Sequence, residues 1–234
     1  MIPSNSCPCS LIGVIISAKA EWEATLEAYP EARVQSSPLG DYFLQENTHY
    51  QLVFFHEGWG KVAAAAATQY LIDRWQPQLL INLGTCGGFK EKISTGEIIL
   101  VRETIIYDII ERMGDAREAL ERYSVFLDLS FLAEPFPQPV RVGRLLSADQ
   151  DIDPDQVIRL NQEFGAIAAD WESGAIAWTA RCNQLPLLIL RGVSDLVGVD
   201  GGELYQQGDF AKKARTVMRT LLASLTAWIA CAGY

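Results

Sequence analysis

Histidine is nearly absent from this chain: His49 and His56 are the only two among 234 residues. Cysteine is sparse and irregular, at Cys7, Cys9, Cys86, Cys182 and Cys231. An odd number at such spacing gives no disulfide framework, and no His/Cys group has the spacing of zinc ligands, so no metal is expected. Cys7-Pro-Cys9 reads as a reduced pair in a polar tail, a metal or redox pair being the other reading. Positive charge is also short. Acidic residues outnumber basic ones 29 to 19, the net charge is −10, and no Lys/Arg run occurs. That field repels phosphate-rich surfaces and argues against a nucleic-acid or acidic-membrane partner.

Long apolar runs are missing too. Leu11–Ile16 is too short for a signal peptide and lacks a positive flank, and the C-terminal stretch 221–234 is interrupted by Ser224 and Thr226. A cytoplasmic protein is expected. No G-x-G-x-x-G follows a strand, so dinucleotide binding has no support. GWGKVAAAAA at 58–67 is not a Walker A loop, because the spacing before Lys61 is wrong and no Ser/Thr follows it.

What is present is an alternation of apolar β-rich runs with helical stretches. LIGVIIS (11–17), YQLVFFH (50–56), QLLINLG (78–84), GEIILVRETII (96–106), VRVGRLLSA (140–148) and LPLLILRGVSD (185–195) predict strands. DYFLQE (41–46) pairs with YQLVFFH as a hairpin. KVAAAAATQYLIDRW (61–75), PDQVIRLNQEF (154–164), ESGAIAWTARCN (172–183) and 209–230 predict helices. Region 107–139 is the least legible. The pattern predicts a single α/β domain over 11–234 behind an irregular tail at 1–10: three layers, α/β/α, with a twisted and mostly parallel central sheet.

In such sheets ligands bind beyond the carboxyl ends of the strands. Four predicted strand ends carry polar or glycine-rich sequence: Ser17–Glu21, Gly84–Gly88, Asp170–Glu172 and Arg191–Asp195. The GWG turn can bring backbone N–H groups against an anion or a ribose, or merely redirect the chain. Gly87 and its neighbours let the backbone approach a ligand, and Thr85 adds a hydroxyl. Asp170 suits helix capping; Glu172 calls for a partner, for which a sugar diol is one candidate. Arg191 and Asp195 are candidates for an ion pair with each other. Asp195 and Glu21 are alternatively two carboxyls dividing acid and base work in one cavity.

In their order, IGVIISAKAEWE, GWGKVAAAAATQYLIDRWQPQLLINLGTCGGF and DWESGAIAWTARCNQLPLLILRGVSDLVG resemble the nucleoside phosphorylase/hydrolase superfamily, most closely its 5′-methylthioadenosine/S-adenosylhomocysteine nucleosidases. The resemblance implies a cofactor-free, homodimeric N-ribosyl hydrolase acting on a nucleoside and water. It carries Asp195 onto the acid that protonates purine N7, Glu21 onto the activator of water, and Glu172 onto the residue holding the ribose hydroxyls. Thr85 falls near the nucleophile, and Ser194 and Arg191 fall on residues that orient the acid. A carboxylate at Glu21 disfavours phosphate, although Lys19 keeps phosphorolysis open as an alternative, as is a nucleoside-binding domain without turnover. Two departures fall in the base pocket: Trp171 replaces a methionine, and Asp151, followed by Ile152, replaces a stacking aromatic. Region 107–139, which in the family shapes the 5′ pocket and dimer contact, matches at little beyond Tyr107-Asp108.

Overall fold

The computed structural model describes residues 10–203 and 209–234; the predicted tail, with Cys7 and Cys9, lies outside the described residues except for Ser10, which opens the first strand. The elements run β1 (Ser10–Ile16), α1 (Lys19–Ala28), β2 (Gln35–Ser37), β3 (Gly40–Glu46), β4 (Tyr50–His56), α2 (Gly60–Trp75), β5 (Leu79–Phe89) and β6 (Ile98–Ile106). Then come α3 (Ala116–Arg122), β7 (Ser124–Phe126), β8 (Arg141–Ser147), α4 (Val157–Phe164), β9 (Ala168–Asp170), α5 (Ser173–Cys182), β10 (Leu187–Gly198), β11 (Gly201–Gly202) and α6 (Phe210–Cys231).

The layers form as alternation dictates. Along β1, Ile12, Val14 and Ile16 enter a core that holds Leu221, Leu225 and Trp228 of α6, while Ile15 turns to Ala64, Ala67 and Leu71 of α2 and Ile176 of α5. Alanine at 64 and 67 combines high helix propensity with little bulk, so α2 lies close on the sheet. Helices therefore cover both faces. Among the described helices none is long and apolar enough to cross a membrane.

The sheet is mixed rather than simply parallel: among the described residues five strand pairings are parallel and six antiparallel. Its order is β11-β10-β6-β8-β9-β5-β1-β4-β3-β2, and β10 also pairs with β5, which closes β5, β10, β6, β8 and β9 into a five-stranded ring. Within the ring β5 and β10 run one way, and β6, β8 and β9 the other. The cause lies in the connections. Residues 90–97, between β5 and β6, hold no helix, so nothing carries the chain back for a parallel return. Apolar runs report burial but not direction.

Candidate active site

Residues beyond β1 and on β5, β9 and β10 converge on a cavity of about 360 Å³. Nine sequence-predicted residues line it: Glu21, Thr85, Gly87, Asp151, Ile152, Trp171, Glu172, Ser194 and Asp195. Trp59, Gln150, Asp170, Val197 and Phe210 join them, with Ala18, Cys86 and Ala169.

Glu21 occupies the third position of α1, where a glutamate reaches back to the helix start. Its Oε2 accepts the Ala18 N–H at 3.0 Å. Its Oε1 accepts both the N–H of Thr85 at 2.6 Å and the Thr85 hydroxyl at 2.7 Å. Three donors fix a carboxylate that is only 1% exposed yet reaches the cavity wall.

Asp195 reaches the cavity through an irregularity in β10. Val193 pairs with Cys86 and Asp195 with Gly87, so Ser194 is an extra residue in the ladder. Such a bulge re-aims side chains, and the consecutive Ser194 and Asp195 both face the cavity. The Ser194 hydroxyl donates to Asp195 Oδ1 at 2.6 Å, with the Cys86 carbonyl at 3.2 Å as its other acceptor. Burial raises the Asp195 carboxyl above its ordinary value, opposed by the Ser194 hydrogen bond.

Glu172 precedes α5 and accepts the Gly60 N–H at 3.1 Å, so the acceptor met by the GWG turn is the protein's own carboxyl. Burial, then the neighbouring Asp170, push Glu172 up to about 8; Arg191 and the Gly60 N–H act against that rise.

Arg191 is placed otherwise than the sequence suggests. It is 1% exposed, does not line the cavity, and pairs with Asp170 at 2.9 Å rather than with Asp195. Its Nε also donates to Ser173 Oγ at 2.9 Å and its Nη2 to Asn82 Oδ1 at 2.7 Å. Gly84 makes room for it: a Cβ there would lie 1.9 Å from Nη1 and 3.0 Å from Glu21 Oε1. The arginine braces the wall between Glu21 and Asp170 and does not orient Asp195. The bulge separates the two, because it shifts Asp195 to the other face from Arg191, so that Asp195 lines the cavity and Arg191 does not. Asp170 does cap α5, accepting the Ser173 N–H at 3.2 Å.

Lys19 also stands away from the site, its side chain 81% exposed and 3.8 Å from Glu23. Among the described residues no lysine, arginine or histidine lines the cavity, against five carboxyls at Glu21, Asp151, Asp170, Glu172 and Asp195. Trp59 and Phe210 went unread in the sequence. Trp59 sits between Gly58 and Gly60, where a large aromatic in a tight turn is a usable signal; Phe210 begins α6 with no local cue.

The closed ring, flanking helices and acid-lined cavity at the strand ends define a nucleoside phosphorylase-like α/β protein. Residues 11–230 match the family model described as Phosphorylase superfamily, and the chain belongs to that family. It is 27% identical over 226 residues to a 5′-methylthioadenosine/S-adenosylhomocysteine nucleosidase of Maridesulfovibrio salexigens, covering 92% of this chain and 98% of that one. A protein of the same description from Tolumonas auensis is 26% identical over 208 residues, covering 84% and 90%. The fold also matches the structure of the Helicobacter pylori nucleosidase so described, with butyl-thio-DADMe-Immucillin-A, at a TM-score of 0.78 and 15% identity, over 94% of this chain and 99% of that one.

Proposed function

We propose that this protein is an N-ribosyl hydrolase that cleaves the glycosidic bond of a purine nucleoside, a 5′-modified adenosine such as methylthioadenosine or S-adenosylhomocysteine. One observation carries hydrolysis over phosphorolysis: among the described residues the cavity has carboxyls and no cationic side chain to hold phosphate. The names of the relatives support the substrate class.

Breaking the bond leaves positive charge on the ribose and negative charge on the base, so a proton donor and an activated water are needed. Asp195, whose carboxyl burial raises above its ordinary value, donates to N7 of the departing purine. Glu21, held by Ala18 and Thr85, accepts a proton from water as its oxygen adds to the anomeric carbon. Glu172 accepts hydrogen bonds from the ribose hydroxyls. The products are free base and free sugar, and the reaction needs no cofactor. Trp171 supplies a flat face for the base, while Asp151 and Ile152 line the same cavity.

A homodimer and a cytoplasmic setting complete the reading. Trp59, Val62, Ile110 and Met113 are 70–99% exposed on the α2 start and the loop after β6, which Lys61 and Asp108 join. Cys86, Cys182 and Cys231 are free thiols, as suits a reducing compartment.

A nucleoside panel incubated with and without phosphate, with base and sugar identified by chromatography, tests the reaction. Free ribose products independent of phosphate are expected; strict phosphate dependence would overturn hydrolysis. Asp195→Asn and Glu21→Gln should each lower kcat by about 10²–10⁴-fold with the fold intact by circular dichroism. Near-wild-type turnover in either variant removes that residue from the mechanism.

A further inference from the structure

The glycine turn ends in a lysine to which the chemistry above gives no task. Lys61 is the second residue of α2, with its side chain 18% exposed, and its ammonium lies between two carboxylates: Asp108 Oδ2 at 2.5 Å and Asp149 Oδ2 at 3.0 Å. The backbone adds to this junction. The Lys61 N–H donates to Asp149 Oδ1 at 2.8 Å, and the Asp149 N–H to Asp108 Oδ2 at 3.0 Å. One cation therefore joins three segments that follow three different strands: the turn after β4, the loop after β6 and the loop after β8.

Two of those segments are cavity walls. On one side of Lys61, Trp59 lines the cavity and the Gly60 N–H holds Glu172. Beyond Asp149, the next three residues, Gln150, Asp151 and Ile152, line it as well. Gly60 lets the walls meet. Its φ of +85° is in the region that favours glycine, and a Cβ would stand 3.0 Å from Asp149 Oδ1. Charge-assisted bonds in a partly desolvated setting hold geometry better than exposed pairs do.

We propose that Lys61 is a positioning residue for ligand binding, fixing the spacing between the Glu172-holding turn and the 150–152 loop. Resting on the nucleosidase reading, it acts through both walls and touches no reacting atom. Its removal loosens the ligand's seat and leaves Glu21 and Asp195, which are held by other elements, in place. The effect belongs to KM.

The test compares wild type with Lys61→Met, Lys61→Arg and Asp149→Asn. In Lys61→Met, KM for the preferred nucleoside should rise about tenfold with kcat within about twofold of wild type, a misplacement effect at the small end of its range. Lys61→Arg, which keeps the charge, should hold KM within about threefold, and Asp149→Asn should fall between the two. Hydrogen–deuterium exchange on the ligand-free variants supplies a readout independent of turnover. Segments 57–60 and 148–152 should exchange faster in Lys61→Met, with β5 and β10 unchanged. Unchanged exchange in those segments, an unchanged KM, a kcat that falls as far as kcat/KM, or an arginine variant that behaves like the methionine one each overturns the proposal. Wild type without turnover on any nucleoside instead defeats the nucleosidase reading, and the exchange experiment still judges the clamp.

Discussion

At the residue scale, Ser194 has one hydroxyl proton and two acceptors, Asp195 Oδ1 and the Cys86 carbonyl. Donating to Asp195 favours its carboxylate, while burial favours the protonated acid, and burial is the larger cause. Ser194→Ala removes the first influence. Asp195 should then hold its proton to higher pH, so the alkaline limb of the kcat/KM profile should move upward. A downward move, or none, would mean that the limb reports another group. Most of this chemistry was legible as residue types at strand ends. What the string of letters hid was the partner of each: Arg191 and Asp195, four positions apart, invite pairing, yet the arginine belongs to Asp170.

At the scale of elements, the reason is the bulge in β10. Strict alternation predicts that residues 191, 193 and 195 share a face; the extra residue at 194 breaks that parity beyond Val193. Bulges leave no mark in apolar periodicity, just as strand direction leaves none, which is why buried runs were found while their closure into a ring was not. The brace under the bulge makes a firm prediction. Arg191→Met leaves the Asp170 carboxylate buried without its cation and should cost about 3–5 kcal/mol in urea denaturation. Adding Asp170→Asn should recover part of that loss, because the two residues share one interaction. Simple additivity of the two losses would deny the pairing.

Over the whole molecule, acid is concentrated inside as well as outside. Glu57 is buried, takes the Ser17 hydroxyl on Oε1 at 2.7 Å, and among the described residues has no donor for Oε2. Burial raises it well above its ordinary value, as burial also raises Glu172 and Asp195. Folded protein thus binds more protons than unfolded protein above the ordinary carboxyl range near 4.5. The stabilising contribution of these groups is complete below that range and is lost as pH rises through their folded values. Melting temperature should accordingly fall between pH 6 and pH 9. Glu57→Gln should flatten this slope and melt higher at pH 9, by about 2–4 °C for each kcal/mol of relieved burial. An equal slope in the variant would absolve Glu57.

The ring has one more consequence, for how a ligand enters and leaves. Asp195 and Thr85 stand on β10 and β5, strands that pair on both sides within or beside the closed ring. Trp59 and residues 150–152 stand on connecting loops. The cavity therefore has one jaw of paired strands and one of connecting loops, the latter tied together by Lys61. On the proposed mechanism, ligand passage displaces the loop-borne jaw as one tied piece, and Asp195, carried on a paired strand, keeps its aim from one turnover to the next.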